Sequence, residues 1–260
     1  MTGTTRRTFL TAVATAALGA AATACSNTGT SGKNGGGDVT VFAAASMGPA
    51  LEEIKAAFAK AHPDHAVRLN LGSSSTLVTQ LRGGAPGDVF VSADEPNMRK
   101  AVDARLVDGE PKVFARNLLS LIVEKGNPKK IKGLADLRRT DLTVAMCGPQ
   151  VPVGRYGRQA LQKAGVPVPK GAEELDVKQV VSRVTLREAD VGVVYVTDVK
   201  AAGAKAEGVA VPAAHNVEAR YPVGLLTGGG NTAGGRLFVD FLLSAQAQAV
   251  LKNHGFLAPA

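Results

Sequence analysis

From Asp38 to the C-terminus, apolar runs of strand length alternate with segments whose apolar residues recur every three or four positions, and no other feature constrains the fold as much. A chain alternating these two periods builds α/β architecture with mainly parallel sheets flanked by helices, because parallel strands need a crossover and a helix supplies it. Residues 39–43 read as a buried strand. After the turn Ser46-Met47-Gly48-Pro49, Leu51, Ile54 and Phe58 fall at helical spacing, with Pro49 where a first helical turn accepts it. The unit recurs as a strand over 66–71 and a helix opened by Ser73-Ser74-Ser75-Thr76. Next come a strand over 89–92, a helix after Asp94-Glu95-Pro96, and an apolar strand over 118–123. A strand over 143–146 leads through Pro152-Val153-Gly154 into another helix, and Asp176 heads a helix with Val177, Val180, Val181 and Val184 inward. Residues 191–196 and 221–226 read as strands. Gly228-Gly229-Gly230 reads as a loop, and 236–251 as one closing helix with Leu237, Phe238, Phe241 and Leu242 on one face. The 222 residues from 39 to 260 are long for one parallel sheet and suit two lobes.

The first 24 residues differ in kind. They hold no acidic residue, the pair Arg6-Arg7, and an Ala/Leu/Val/Thr run too short for a comfortable membrane span, which reads as a cleavable export signal. Thr5-Arg6-Arg7-Thr8-Phe9-Leu10 resembles a twin-arginine signal. Ala22-Thr23-Ala24-Cys25 resembles a bacterial lipobox, which makes Cys25 the lipidated first residue of the mature chain; the rival is a plain Ala-x-Ala cleavage site before an incidental cysteine. Residues 25–38, rich in Gly, Ser and Asn, read as a flexible tether. The expected location is the outer face of the cytoplasmic membrane, with the lipid as the only membrane contact.

Beyond Cys25 the one cysteine is Cys147, so the mature body has no intramolecular disulfide and no CxxC metal pair. Without Arg6 and Arg7 it carries 28 basic against 22 acidic residues, an excess that suits an anionic partner. No Lys/Arg run exists and aromatics make up 4%, so there is no stacking platform for nucleic acid.

In open α/β sheets ligands bind beyond the carboxyl ends of strands, where helices begin with free N–H groups and partial positive charge. Such starts fall near Ser46, Ser74, Val153 and Val177. Each alone reads equally as a cap, a loop or core, and Tyr195 as a buried tyrosine. Together, Val41-Phe42-Ala43-Ala44-Ala45-Ser46, Gly72-Ser73-Ser74-Ser75-Thr76, the stretch from Gly84 to Asp94, Val151-Pro152-Val153-Gly154 and Val191-Gly192-Val193-Val194-Tyr195 resemble, in order and spacing, the molybdate-binding proteins of ABC importers. The resemblance runs through nearly all of the mature chain to Gly255-Phe256.

The resemblance implies a two-lobed, type II periplasmic-binding fold with the oxyanion in the interlobe cleft. It places ligand-contacting hydroxyls on Ser46, Ser74 and Tyr195, and backbone donors on the amides of Ser46, Ser74, Val153 and Val177. It also implies lobes of 39–116 with 228–260 and of 117–227. The partners it implies are an ABC permease with its ATPase subunits, bound by a monomer. No cofactor is implied, and molybdenum enters only as the oxyanion, with no direct protein–metal ligand. Val153 stands where the family has alanine, and Val177 follows a loosely matching stretch whose Asp176 brings a carboxylate near the presumed cleft.

Molybdate, tungstate and sulfate carry no proton at neutral pH, so their site should offer donors and no acceptor, whereas hydrogen phosphate rewards a carboxylate. None of the five contact residues is Asp or Glu. A hydrogen bond to a charged partner contributes about 1.5–3 kcal/mol, so seven donors can offset a dianion's desolvation without Lys or Arg. Donor geometry does not separate molybdate from sulfate; cavity size must. Binding of another oxyanion, sulfate or phosphate, is the first alternative. A serine hydrolase using Ser46 or Ser74 needs a base, and His62, His65, His215 and His254 lie in no triad context. The glycines at 228–230 and 234–235 lack the GK[ST] of a phosphate loop. Cys147 reads either as a thiol lining the cleft or as inert core.

Overall fold

The computed structural model describes residues 37–259. The export signal, Cys25 and most of the tether lie outside the described residues. The body opens with β1 (Val39–Ala44), a 3-10 turn (Ala45–Met47) and α1 (Gly48–Ala61). There follow β2 (Val67–Gly72), α2 (Ser74–Arg82), β3 (Val89–Val91), α3 (Glu95–Asp103), β4 (Val107–Asn117) and β5 (Leu119–Glu124). The middle comprises β6 (Val144–Cys147), α4 (Pro152–Lys163), β7 (Glu173–Glu174), α5 (Val177–Thr185), β8 (Val191–Tyr195) and α6 (Val196–Ala202). The chain ends with β9 (Ala206–Ala210), β10 (Ala219–Leu226), α7 (Thr232–Leu242) and α8 (Ala245–Asn253).

These strands form two five-stranded sheets, ordered β2-β1-β3-β10-β4 and β7-β6-β8-β5-β9. In each sheet one strand runs against the rest: β10 is antiparallel to β3 and β4, and β5 to β8 and β9. Both sheets are therefore mixed, within the two-lobed α/β fold expected. β5 is the first strand after the chain crosses into the second sheet, and β10 the first after it returns.

The first crossing falls between Asn117 and Leu119. The return lies before Ala219, because β10 pairs within the first sheet from Ala219 onward. This corrects the second boundary from 227: the run over 221–226 is a strand in either lobe, and only its pairing assigns it to the first. Asn216 ties the two crossings together, accepting from the Leu119 N–H at 3.0 Å and donating to the Leu119 carbonyl at 2.9 Å.

The central strands of the first sheet are buried on both faces. Val39, Val41, Ala43, Val89 and Val91 point into the larger core, while Phe42 and Phe90 join Leu77, Val78, Leu81 and Met98 on the opposite face. That two-residue alternation with both sides apolar is why these strands read as continuous hydrophobic runs. β4 was not expected. It contains Gly109, Pro111 and several charges, breaker signals a strand tolerates only where one side is unpaired, and β4 is an edge strand. β9, the edge of the second sheet, has a half-exposed pattern and was missed for the same reason.

The closing segment is two helices rather than one. The chain breaks at Leu243 and Ser244, whose Oγ accepts from the Ala247 N–H at 3.3 Å and caps α8. Leu237 does not share the buried face expected for it: within α7, Phe238 and Leu242 are fully buried while Leu237 lies on the outer side and is exposed.

Candidate functional site

Four element starts converge between the two sheets. The 3-10 turn after β1 has no side-chain cap, so the Ser46 amide lies in a first turn whose N–H groups have no partner within it. α2 is capped by Ser73, which accepts from the Thr76 N–H and leaves the Ser74 amide unclaimed by the cap. α4 starts at Pro152 with no side-chain cap, which leaves the Val153 amide in the same condition. In α5 the Asp176 carboxylate accepts from the Lys178 and Gln179 N–H groups at 2.8 and 3.1 Å and from Gln179 Nε2 at 3.3 Å. The Val177 amide at the first helical position lies ahead of those bonds.

Asp176, suspect on charge, is thereby committed to its own helix. Its carboxylate acts as a cap there, so its place beside the cavity does not make it a free acceptor.

Ser46, Ser74, Val153, Val177 and Tyr195 all line one cavity of about 20 Å³, together with Gly72, Ala93, Pro152 and Asp176. All five are buried. Pockets for organic ligands run to roughly 300–1,000 Å³, so this one suits a compact inorganic ion. Larger hollows of about 370 and 530 Å³ lie on outer faces, against α3 and β4 and along α8, and contain none of these five residues. The small cavity is the chemically furnished one.

The hydroxyls are set up as donors. The Ala93 N–H donates to Ser74 Oγ at 2.9 Å; an amide only donates, so the serine's own proton is free for another acceptor. Tyr195 ends β8, its N–H held by Asp198 Oδ2 at 3.1 Å. Its phenolic oxygen is buried with no hydrogen-bond partner among the described residues, and burial pushes its pKa well above the usual phenol range, so it keeps its proton. An orphaned buried hydroxyl costs roughly 1–3 kcal/mol, a penalty a ligand acceptor removes.

The junction between β6 and α4 is unusually close. A Cβ on Gly154 would lie 2.2 Å from the Gly148 carbonyl oxygen and 2.4 Å from that of Cys147, so only glycine lets the start of α4 reach the cavity. Cys147 is buried and burial raises its thiol pKa, which fits inert core.

Sequence reasoning missed the ion pair beside the cavity. Arg155 in the first turn of α4 donates to Asp94, the fully buried cap of α3, and so joins the two lobes. Asp94 was legible only as a helix head, and nothing in the sequence pairs it with an arginine 61 positions away. No histidine lines the cavity: His62 and His65 stack near Phe58, and His254 bonds to Glu53 at 2.9 Å. Neither Ser46 nor Ser74 has an imidazole base there.

Two sheets joined by two adjacent crossings, with a donor-lined cavity between them, define a two-lobed solute-binding protein. The chain belongs to the bacterial extracellular solute-binding protein family, which it matches over residues 39–257. It is 36% identical over 225 residues to the molybdate-binding protein ModA of Mycobacterium tuberculosis, covering 86% of each chain. Its fold is similar to the periplasmic molybdate-binding protein of Azotobacter vinelandii, with TM-score 0.76, 25% identity, and coverage of 85% of this chain and 100% of that one. The sulfate-binding protein SubI of Mycobacterium tuberculosis superposes with TM-score 0.78 at 18% identity, over 85% of this chain and 86% of that one, a likeness of fold alone. Among the described residues no helix is long and apolar enough to cross a membrane, and no cluster of His, Cys, Asp and Glu could hold a metal ion.

Proposed function

We propose that this chain is the exported substrate-binding protein of an ABC importer, that it captures molybdate, and tungstate with it, in the cavity between its lobes, and that it delivers the oxyanion to the permease without catalysing a reaction. The ligand contacts are the hydroxyls of Ser46, Ser74 and Tyr195 and the amides of Ser46, Ser74, Val153 and Val177. The buried, unpartnered hydroxyl of Tyr195 at a cavity sized for a small ion carries this reading. Membership of the solute-binding family and the ModA relatives support it. Lipidation of Cys25 and the tether after it keep the protein beside its permease, and the lobes close over the anion by movement about the paired crossings.

Thermal unfolding with each oxyanion in turn tests the ligand. Molybdate and tungstate at a hundredfold excess over Kd should add about 2.7 kcal/mol, a rise of roughly 5 to 10 °C for a chain of this size. Sulfate and phosphate should give little. A shift with phosphate and none with molybdate sinks the reading.

Val177→Pro tests a backbone donor directly. Proline is at home in the first position of a helix, where it removes the N–H and fills the buried Val177 site with a ring of similar volume, and Asp176 before it has the extended conformation (φ −152°, ψ 167°) that a following proline requires. Molybdate binding should weaken about tenfold or more, with the melting temperature of the unliganded protein within a few degrees. Unchanged affinity removes the Val177 amide from the site.

A further inference from the structure

We propose that Tyr221, oriented by Asn117, is a positioning residue that fixes the direction of the Ser46 hydroxyl and so makes Ser46 a donor to the bound anion. This rests on the reading of Ser46 as a ligand contact. The chain of bonds begins at Asn117, the last residue of β4, at the first crossing between lobes. Its Oδ1 accepts from the Leu118 N–H at 2.9 Å, which identifies the other end of the side chain as the NH₂. That nitrogen lies 2.8 Å from Thr197 Oγ1 and 3.4 Å from the Tyr221 hydroxyl. The Tyr221 hydroxyl in turn lies 3.0 Å from Ser46 Oγ.

The polarity of this chain follows from what each group can do. An amide NH₂ only donates, so the Tyr221 oxygen accepts from Asn117 and has one proton left to give. Its other polar neighbour is Ser46 Oγ. Were Ser46 to donate to Tyr221 instead, the phenolic proton would sit in a fully buried place with no acceptor. Ser46 Oγ therefore accepts from Tyr221, and its own proton is left for the cavity that Ser46 lines. Burial raises the Tyr221 pKa beyond the usual phenol range, so the proton that sets this direction stays in place.

The consequence is selectivity by proton content. Ser74 Oγ already accepts from the Ala93 N–H and Ser46 Oγ from Tyr221, so each has a proton free for the ligand and only one lone pair left to offer it. Molybdate and sulfate present only acceptors and fit such a cage. Hydrogen phosphate also needs an acceptor for its proton, and a cage whose hydroxyls already accept from protein groups has fewer to give; removing the Tyr221 hydroxyl returns one to Ser46.

The test is a double-mutant cycle on Tyr221 and Ser46 in the full protein, read by calorimetric titration with molybdate and by competition with inorganic phosphate. Tyr221→Phe keeps the ring that packs against Tyr195 and Phe256, with centroids 6.0 and 5.4 Å away, and removes only the hydroxyl. It should weaken molybdate binding about three- to tenfold and narrow the preference over phosphate by a similar factor. In a Ser46→Ala background the same substitution should do nothing further. Equal losses in both backgrounds, or none in either, overturn the proposal, since a packing role does not depend on the Ser46 oxygen. Should Tyr221→Phe fail to fold, Asn117→Asp carries the test. It keeps the acceptor for Leu118 and replaces the donor by an acceptor; its added charge weakens molybdate in both backgrounds, and the proposal requires a further loss of about threefold or more only while Ser46 is present, with an equal loss in both overturning it. Failure of the underlying reading looks different: Ser46→Ala and Tyr195→Phe would each leave molybdate affinity unchanged.

Discussion

Tyr195→Phe is expected to weaken molybdate binding by one to two orders of magnitude while leaving the unliganded protein as stable as before. The phenolic oxygen has no hydrogen-bond partner among the described residues, so deleting it breaks no bond within the protein and leaves the stability of the unliganded chain close to the parent's. The ring stays, and with it the edge-to-face packing on Tyr221. In the proposed complex the same hydroxyl would supply a charge-assisted hydrogen bond of about 1.5–3 kcal/mol, a factor of roughly 10 to 150 in affinity. Stability and binding should therefore move apart, which a general structural role for Tyr195 would not produce. Titration calorimetry and thermal unfolding on the same two proteins check this. A variant that binds molybdate as tightly as the parent takes the hydroxyl out of the site.

Gly154→Ala is expected to damage both properties together. The new methyl would meet the backbone carbonyls of Gly148 and Cys147, and backbone at the end of a buried strand cannot swing aside as a side chain would. Either β6 or the first turn of α4 must move. Overpacking of this kind costs about 1–3 kcal/mol and occasionally more, or some 2 to 12 °C in melting temperature for a chain of this length. The first turn of α4 also carries the Val153 amide and Arg155, so its displacement should lower molybdate affinity and disturb the Arg155–Asp94 pair between the lobes. A Gly154→Ala protein that melts and binds like the parent would mean that the junction is looser than its geometry.

How much of the fold and site was legible varies with the kind of force at work. The strands over 39–44, 89–91 and 191–195 were legible because both their faces are buried, which forces unbroken apolar runs that stand out in the sequence. β4 and β9 were not, because an edge strand keeps one side unpaired and admits the Gly, Pro and charge that usually mark loops. The lobe to which the 221–226 run belongs was misjudged for a different reason: hydrophobic pattern records that a strand is buried, and only pairing records which neighbours bury it. The single closing helix failed at Ser244, where one local side-chain cap outcompetes a continuous helical pattern.

Within the site, Ser46, Ser74, Val153, Val177 and Tyr195 could be named from the chain because helix starts after buried strands have a local signature and their five segments together resemble a known family. Asp94–Arg155 and the relay from Asn117 through Tyr221 to Ser46 had none, being contacts between residues 61, 104 and 175 positions apart. The sequence by itself placed Ser46, Ser74, Val153 and Val177 at helix starts after strands, since periodicity and capping are properties of neighbours along the chain, and only the resemblance of the five segments gave those starts an anion to face. Only the tertiary structure decided the size of the cavity, the engagement of the Asp176 carboxylate by its own helix and the hydrogen-bond partners of the Ser46 and Ser74 hydroxyls. Those depend on which distant groups are brought within hydrogen-bonding reach, and no run of neighbouring residues encodes that distance.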